Sequence, residues 1–521
     1  MTRVRLMVDD AAAPLAEALR DAPWESCAGI EIVSDQAEAV VWCLTESVSW
    51  DDVRVGATRL GLPTLVVGPG VPAEGEASPR HEVRLRSQTD DLGDDVHIND
   101  RVRALTDAAG DVLVTANIAF TELPVVRWDP ESGLAVMSVG VEPESWARRP
   151  FLRLVHRLLH GMTPPTEAAE PIRVGLLGYG AIGHEHAAAI GATPGLELSL
   201  VCDLSPERLA VAQKFTPGVR TTSDPDEVTA APDVDLVVVS TPPNTHGQWA
   251  ITLLEAGKHV VLEKPMALTV AECDAAIDAA QRAGLLLVVY QNRRFDPDFR
   301  AIADLIEADE LGEVFHLEAF VGAYQHPCNY WHSDADVSGG ALFDWGSHIV
   351  DQILQLMPGE VATVTARNHK RTWHDVTNAD HARMTLHYAD GREATFIYSD
   401  LAAALKPRWY LAGTGGGVIG DWRRERVIAR TPIGTLDEDV LAPADSPPEV
   451  WLHGPDGRVA QVPGLPAEPG EFHRQLAERL LSGMPMTVTA EQSRRVVAML
   501  EAAERSAAKD GAPVVPEWSA E

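Results

Sequence analysis

The chain has 521 residues, 45% of them hydrophobic, and a formal net charge of −34 from 43 basic and 77 acidic residues. The length predicts two to four domains, and the acidic surplus argues against nucleic acid and anionic membranes as partners. Five scattered cysteines without a Cys-x-x-Cys pair indicate neither a disulfide framework nor a zinc site, so no metal is expected. No signal-peptide core or membrane-length apolar stretch is seen, so we expect a cytoplasmic protein.

Residues 1–165 predict an α/β domain of their own. Runs typical of strands alternate there with runs typical of helices. The predicted strands are Arg3–Val8, Ala39–Leu44, Thr64–Val67 and Ala135–Val139, and the predicted helices are Ala13–Arg20 and Phe151–Leu159. The charged, turn-rich span Val71–Asn99 predicts long loops. A proline-rich stretch around residues 166–171 predicts an interdomain linker.

The run Pro-Ile-Arg-Val-Gly-Leu-Leu-Gly-Tyr-Gly-Ala-Ile-Gly, residues 171–183, predicts a strand that ends in a dinucleotide-binding loop. Gly178 permits the tight turn, Gly180 lets a pyrophosphate approach the backbone, and Gly183 lets the next helix pack on the strand. The phosphates would lie at the N-terminus of a helix predicted to begin near His184. The other loop residues predicted to contact the cofactor are Tyr179, Ala181 and Ile182.

A second predicted strand, Leu196–Cys202, ends in Asp203, 20 residues beyond Gly183. A carboxylate at this distance suits the ribose 2′-hydroxyl of NAD and repels the 2′-phosphate of NADP. The sequence therefore favours NAD, although NADP stays open because Arg208 lies nearby and belongs to the predicted cofactor site. The alternative for Asp203 is an ordinary turn residue at a strand end.

Residues 172–291 predict a doubly wound parallel sheet, because nearly all-apolar runs alternate with helical segments. Residues 292–521 predict an α+β domain with a mainly antiparallel open sheet, since polar and apolar residues alternate between turns such as Asp390-Gly391. The strands predicted in this second part are Val314–Val321, Val361–Ala366, Ala382–Tyr388 and Glu393–Tyr398. The closing helices are predicted at Glu471–Leu481 and Ala490–Ala508.

Two short motifs follow buried strands at the carboxyl edge, where ligands of open α/β sheets bind. The first reads Thr-Pro-Pro-Asn-Thr-His from residue 241, and the second reads Glu-Lys-Pro from residue 263. The cofactor-site residues predicted from them are Thr241, Pro242, Asn244, His246, Glu263 and Lys264. The alternative for Lys264 is a solvated surface lysine.

Downstream, the sequence Gly-Gly-Ala-Leu-Phe-Asp-Trp-Gly-Ser-His from residue 339 predicts a loop that enters an amphipathic helix ending near Met357. Asp344, His348 and Asp351 are spaced to share one helical face. A carboxylate beside an imidazole favours the protonated ring and orients it, which suits proton transfer. The alternative is a buried histidine that a helix neighbour satisfies.

These motifs, together with Asn-Arg-Arg-Phe-Asp-Pro-Asp from residue 292, resemble in order and spacing the glucose-fructose oxidoreductase/inositol dehydrogenase/rhizopine catabolism (Gfo/Idh/MocA) family. The resemblance covers the chain from Ile172 onward and is strongest to inositol dehydrogenase-like members. It implies NAD(P)-dependent oxidation of a sugar or cyclitol hydroxyl, with the substrate pocket between the two domains, and a homo-oligomer.

By motif position, the resemblance makes Lys264, Asp344 and His348 the catalytic residues. His348 would take the hydroxyl proton, and Lys264 would stabilise the developing alkoxide. The residues that could line the substrate pocket are Arg293, Arg294, Tyr330 and Trp331.

The N-terminal part is similar around residues 124–151 to trehalose-utilisation (ThuA-like) proteins, which implies a class I glutamine amidotransferase-like fold. A Gly-x-Cys-x-Gly elbow is missing from the sequence, so a structural, oligomerising or channelling role is favoured over amidotransferase chemistry. Two alternatives to a simple dehydrogenase stay open. One is an enzyme that uses bound NAD for transient oxidation during glycoside elimination, hydrolysis or epimerisation, and the other is a nucleotide-binding regulator.

Overall fold

The computed structural model describes residues 170–328, 330–431, 434–441, 446–465 and 470–517. It also describes the shorter stretches 2–8, 30–32, 39–43, 62–67, 81–87, 96–100, 104–105, 111–118, 121–129, 134–139 and parts of 151–159. The chain divides into two compact units. One comprises Met1–Glu170 and Gln475–Met486, and the other comprises Pro171–Arg474 and Thr487–Glu521.

The described part of the N-terminal unit is built on a nine-stranded sheet. Its strands are β1 (Thr2–Val8), β2 (Ile30–Ile32), β3 (Ala39–Cys43), β4 (Thr64–Val67), β5 (His81–Ser87), β6 (Val96–Asp100), β7 (Asp111–Ile118), β8 (Thr121–Asp129) and β9 (Leu134–Met137). The order is β2-β1-β3-β4-β9-β8-β7-β5-β6, parallel as far as β9 and antiparallel beyond it. Helical residues between Phe151 and Leu159 join a core with Val41, Leu65 and Val126.

The span Val71–Asn99, predicted to hold long loops, instead contributes the antiparallel pair β5–β6. Its apolar residues are few, but they alternate with charged ones, and Leu85 is only 1% exposed. An alternating strand with one buried face shows a weak hydrophobic signal when the other face is charged. The predicted helix Ala13–Arg20 and most of the predicted linker 166–171 lie outside the described residues.

A six-stranded parallel sheet follows, which confirms the predicted doubly wound fold. Its strands are β10 (Ile172–Leu177), β11 (Leu196–Cys202), β12 (Arg220–Thr222), β13 (Leu236–Val239), β14 (His259–Leu262) and β15 (Leu287–Val289). Its helices are α1 (Ala181–Ala192), α2 (Pro206–Phe215), α3 (Pro225–Ala230), α4 (His246–Glu255) and α5 (Val270–Ala283). In the order β12-β11-β10-β13-β14-β15, the chain reverses direction across the sheet between β10 and β13. Ligands of such sheets bind at the carboxyl edge of this switch point.

Helix α1 begins at Ala181, three residues before the predicted start. Gly180 adopts the extended conformation of an N-cap residue, so the helix starts inside the glycine motif. Helix α5 begins with a capping box, because Thr269 and Glu272 exchange hydrogen bonds between side chain and backbone.

The remaining chain forms an α+β arrangement around a mainly antiparallel sheet, as predicted. Its strands are β16 (Val314–Gly322), β17 (Val361–His369), β18 (His381–Tyr388), β19 (Glu393–Ser399), β20 (Trp409–Gly413), β21 (Gly417–Asp421), β22 (Arg424–Thr431), β23 (Gly434–Leu441), β24 (Glu449–His453) and β25 (Val459–Gln461). Its helices are α6 (Pro297–Glu307), α7 (Ala335–Ser338), α8 (Ala341–Leu356), α9 (Glu471–Ser482) and α10 (Ala490–Ala507).

Eight of these strands pair in the order β17-β18-β19-β16-β20-β21-β24-β25, while β22 and β23 form a separate hairpin. The pair β16–β19 is parallel and the others are antiparallel. One hydrophobic core joins this sheet to the parallel sheet, with Val237, Ile349 and Leu500 all fully buried in it. No described helix is both long and apolar enough to cross a membrane.

Candidate active site

The turn after β10 requires two of its glycines. Gly178 has a φ of +97°, and a Cβ there would lie 2.6 Å from the backbone oxygen of Ser240 at the end of β13. A Cβ on Gly183 would lie 2.5 Å from the backbone oxygen of Gly178. Real Cβ atoms do not approach backbone this closely, so any side chain at either position would displace the turn.

The third glycine of the motif leaves room above the start of α1. A Cβ on Gly180 would meet no described atom within 4 Å. In the described part of the chain, the first turn of α1 has neither a side-chain cap nor an acidic residue, so its backbone N–H groups stay available. An open cradle beside free N–H groups at a helix N-terminus fits the pyrophosphate of a dinucleotide.

The neighbouring motif residues are arranged around this cradle. Ala181 is exposed and Ile182 is partly buried. Tyr179 is almost fully buried, and its hydroxyl lies 3.1 Å from Nδ1 of His184.

Asp203 directly follows β11 and lies beside the same turn. Its carboxylate accepts hydrogen bonds from the backbone N–H of Tyr179 at 2.7 Å and of Ser205 at 2.8 Å. Nη1 of Arg208 lies 3.4 Å from Oδ2, and the Arg208 side chain is 58% exposed whereas that of Asp203 is 6% exposed. The carboxylate therefore shapes the glycine turn, and the guanidinium is the charge that this edge presents to solvent.

The loop after β13 is held from within by His246. This side chain is fully buried, and its ring nitrogens lie 2.7 Å from the carbonyl oxygen of Pro265 and 2.9 Å from that of Thr241. Burial lowers the pKa of His246, and the two carbonyl oxygens, which favour a protonated ring, oppose this shift. The His246 ring thus joins the two loops at the carboxyl edge, and its predicted place in the cofactor site stays a prediction.

Other residues of this loop do face outward. Asn244 is exposed on the 3-10 turn Pro243–Thr245, and Thr241 and Pro242 are partly buried. The hydroxyls of Thr241 and Thr245 lie 2.7 Å apart, which stiffens the loop further. We expect the outward-facing groups to border the cofactor cradle.

Lys264 leaves the end of β14 and reaches the first turn of α8, 80 residues further along the chain. Its Nζ lies 2.8 Å from Oδ1 of Asp344 and 3.2 Å from the Asp344 carbonyl oxygen. Burial by itself raises the pKa of Asp344, but the Lys264 ammonium and the nearby His332 and Arg293 outweigh it and hold the pKa below its usual value. The lysine predicted from the Glu-Lys-Pro motif is thus a paired group and not a solvated surface residue.

His348 lies one turn beyond Asp344 on α8 and is 8% exposed. Its Nδ1 is buried with no hydrogen-bond partner among the described residues. Burial, reinforced by the charges of Lys264, Arg293 and Arg408, holds the pKa of His348 well below its usual value. The ring is therefore neutral at physiological pH and can accept a proton.

The predicted pairing of His348 with a helix carboxylate is wrong. The Asp344 side chain binds Lys264, and the Asp351 side chain binds Arg294. Spacing along a helix shows which residues share a face, but it does not show which partner the rest of the fold brings to each of them.

The two adjacent arginines of the next motif have different surroundings. Arg293 lies over the Trp345 ring, 4.8 Å from its centroid, and its side chain is 17% exposed. Arg294 is buried, and donates to both Asp351 oxygens at 2.7 and 2.5 Å and also to the Thr487 carbonyl oxygen at 2.6 Å. The prediction that Arg294 lines the substrate pocket is wrong, because every nitrogen of its guanidinium is hydrogen-bonded to a group inside the fold.

An aromatic group lies close to the Lys264–Asp344 pair. The ring of Trp331 stacks on that of His332, with centroids 3.7 Å apart, and Tyr330 is 61% exposed beside them. Burial lowers the pKa of His332, and the charge of Asp344 opposes this shift. The sequence did not place His332 among the candidate site residues, although it directly follows Tyr330 and Trp331.

A second carboxyl group, that of Asp400, lies close enough to Asp344 to interact with it electrostatically. Asp400 accepts a hydrogen bond from the Tyr398 hydroxyl at 2.9 Å. Burial and the charge of Asp380, with a contribution from Asp344, raise its pKa to about 6, while the bond from Tyr398 lowers it. No feature of the sequence around Asp400 distinguished it from the other acidic residues.

Comparison with known proteins agrees with this geometry. Residues 172–291 match the family model described as an oxidoreductase family with an NAD-binding Rossmann fold, and residues 299–419 match the GFO/IDH/MocA C-terminal domain. The predicted similarity of residues 1–165 to trehalose-utilisation proteins stays a prediction.

Two curated relatives act on inositols according to their names. The chain is 30% identical over 348 residues to scyllo-inositol 2-dehydrogenase (NADP(+)) of Bacillus subtilis, covering 65% of this chain and 94% of the relative. It is 28% identical over 266 residues to myo-inositol 2-dehydrogenase of Thermotoga maritima, covering 50% of this chain and 78% of the relative. Among solved structures, an NAD-binding protein from Listeria innocua superposes with a TM-score of 0.58 at 26% identity, covering 67% of this chain and 97% of that structure.

Proposed function

Because the chain belongs to the Gfo/Idh/MocA oxidoreductase family, we propose that it is an NAD(P)-dependent dehydrogenase acting on a secondary hydroxyl of a sugar or cyclitol. The observation that carries the proposal is the 2.8 Å pair of Lys264 and Asp344. Beside it lies the buried Nδ1 of His348, to which no described residue is hydrogen-bonded. This combination supplies a cation, its orienting carboxylate and a neutral base next to a dinucleotide cradle.

In the proposed reaction, His348 accepts the proton of the substrate hydroxyl. Its lowered pKa keeps the ring deprotonated at the start of the oxidation. Lys264 stabilises the negative charge that develops on the hydroxyl oxygen, and Asp344 fixes the ammonium in place. NAD(P), when bound in the cradle, supplies the acceptor for the hydride.

The two inositol dehydrogenases among the relatives support a cyclitol as the substrate. The aromatic surface of Tyr330, Trp331 and His332 supports a flat polyhydroxylated ring, whose C–H face can pack on aromatic side chains. We further propose that the protein works in carbohydrate metabolism as a homo-oligomer.

For the cofactor, the carboxylate of Asp203 keeps NAD as the proposed choice. The exposed Arg208 and the NADP-dependent relative support use of NADP as well. Both nucleotides therefore belong in the test.

The test is to incubate the full-length protein with NAD or NADP and a panel of inositols, monosaccharides and disaccharides, and to follow nicotinamide absorbance. We expect a cyclitol or sugar to reduce the cofactor, and Lys264→Met to lower kcat by about 10²–10³-fold, as for loss of one oxyanion-stabilising group. Lys214→Met is the matched control, because Lys214 is exposed in the last turn of α2 and should retain full activity.

An absence of NAD(P)H from every substrate would contradict the proposal. If nucleotide were then found already bound to the purified protein, the transient-oxidation alternative would replace it. If nucleotide bound only reversibly and no substrate of the panel were altered, a regulator would be favoured.

A further inference from the structure

Three buried side chains are hydrogen-bonded in a row that ends at Glu263, the residue before Lys264. His186 Nε2 lies 3.0 Å from Oε1 of Glu263, and His186 Nδ1 lies 3.0 Å from Nε2 of His473. The other carboxylate oxygen, Oε2 of Glu263, accepts the backbone N–H of Lys264 at 3.0 Å. All three residues are buried, with exposures of 1%, 7% and 1% for His186, Glu263 and His473.

The partners assign the protons along this row. The carboxylate accepts from both sides, so Nε2 of His186 carries the hydrogen that it donates to Glu263. His186 Nδ1 then accepts from Nε2–H of His473. His473 Nδ1 has no partner in the described part of the chain, which suits a bare nitrogen, and burial holds the pKa of His473 well below its usual value. Each hydrogen bond therefore fixes the direction of the next.

The three residues belong to different elements. His186 lies on α1, whose N-terminus forms the cofactor cradle, Glu263 precedes Lys264 after β14, and His473 lies in the first turn of α9. The ring of Tyr290, at the end of β15, covers His186 with centroids 4.4 Å apart. These hydrogen bonds thus connect α1, whose N-terminus forms the proposed cofactor cradle, to the backbone N–H of Lys264.

We propose that His186 is a positioning residue that acts through Glu263 to hold Lys264 against Asp344. The Glu263 carboxylate has a 9% exposed side chain, so water cannot replace the bond from His186. Without that bond the Glu263 carboxylate would rotate, and its hydrogen bond from Lys264 N–H would lengthen. The Lys264 backbone would then shift, and Nζ would move away from Oδ1 of Asp344. The kinetic consequence rests on the proposed dehydrogenase function, whereas the geometric consequence does not.

Two polar replacements of His186 separate this role from packing. In His186→Gln the side-chain amide nitrogen reaches the position of Nε2 and can still donate to Glu263. In His186→Asn the amide is one carbon shorter and reaches only the position of Nδ1. Ala188→Gln, at an exposed position on the same helix and outside these hydrogen bonds, is the control.

The measurements are kcat and KM for the sugar or cyclitol, the Kd for reduced nicotinamide nucleotide by fluorescence, and crystal structures of the two variants. We expect His186→Asn to lower kcat by about 10–100-fold, the cost of a misplacement on the order of 1 Å, with little change in nucleotide Kd. We expect His186→Gln and Ala188→Gln to stay close to wild type. Glu263→Gln should reproduce the loss, because an amide has one acceptor oxygen where two donors converge.

Equal kcat values for His186→Asn and His186→Gln, with only thermal stability reduced, would overturn the proposal and leave His186 a packing residue. If the wild-type protein shows no turnover, the proposed function fails but this inference is still tested by the crystal structures. A Lys264 Nζ to Asp344 Oδ1 distance well above 2.8 Å in His186→Asn, restored in His186→Gln, supports it, and an unchanged distance overturns it. Should His186→Asn not fold, Glu263→Gln provides the same comparison.

Discussion

Replacing Arg294 with methionine is expected to destabilise the protein while leaving substrate recognition intact. The guanidinium donates two hydrogen bonds to Asp351 and one each to the Thr487 carbonyl oxygen and the Gln492 side chain at 2.8 Å. The side chains of the ion pair are 5% and 2% exposed. Removing one partner of a buried ion pair leaves the other charge uncompensated, so we expect a loss of about 3–5 kcal/mol in the free energy of unfolding.

The assay is urea unfolding at neutral pH followed by tryptophan fluorescence, together with kcat and KM for the best substrate. The double variant Arg294→Met/Asp351→Leu is the control, because an apolar pair of similar volume leaves no buried charge and should recover most of the stability. An unchanged urea midpoint with a raised KM for the sugar would refute this reasoning, since it would show that Arg294 binds substrate.

Three further changes have outcomes set by the structure. Gly183→Ala should raise the KM for nucleotide by about 10–100-fold, because relieving the contact with Gly178 costs about 1–3 kcal/mol, measured by titrating the nucleotide at saturating substrate. Arg208→Ala should lower kcat/KM for NADP by about tenfold or more and spare NAD, since it removes the exposed partner of a 2′-phosphate. Glu504→Gln should stabilise the protein at pH 8 by up to about 3 kcal/mol, because burial raises the pKa of Glu504 from 4.5 to about 7, and the folded state then pays to ionise it. This gain should vanish near pH 3.5, about one unit below the lower pKa, where the carboxyl is mostly neutral in both states. An equal gain at pH 8 and at pH 3.5 in urea unfolding would contradict it.

The sequence predicted features whose cause is local. The glycine turn follows from contacts between Gly178, Gly183 and their immediate surroundings, and the alternation of apolar strands with helices predicts the parallel sheet. These features depend on backbone geometry and hydrophobic period, which a single sequence displays.

The features that it could not predict depend on long-range contacts. Arg293 and Arg294 are adjacent and chemically identical, yet one lies over Trp345 and the other is clamped by Asp351, 57 residues away. His186 and His473 meet across 287 residues. Pairings of this kind depend on how helices and strands pack against each other. The resemblance to a family identified Lys264 and Asp344, but it did not predict that the two side chains are hydrogen-bonded.

The hydrophobic core that the parallel and the antiparallel sheet share determines how the protein unfolds. Val237, on the strand beside β10 that leads into the glycine turn, and Ile349, next to His348 on α8, belong to one continuous buried cluster. Elements that share a core unfold as a cooperative unit. Heating should therefore abolish nucleotide binding and proton transfer in the same transition. A partly denatured sample would contain only fully active and fully inactive molecules. A species that binds nucleotide but cannot catalyse the reaction would not accumulate.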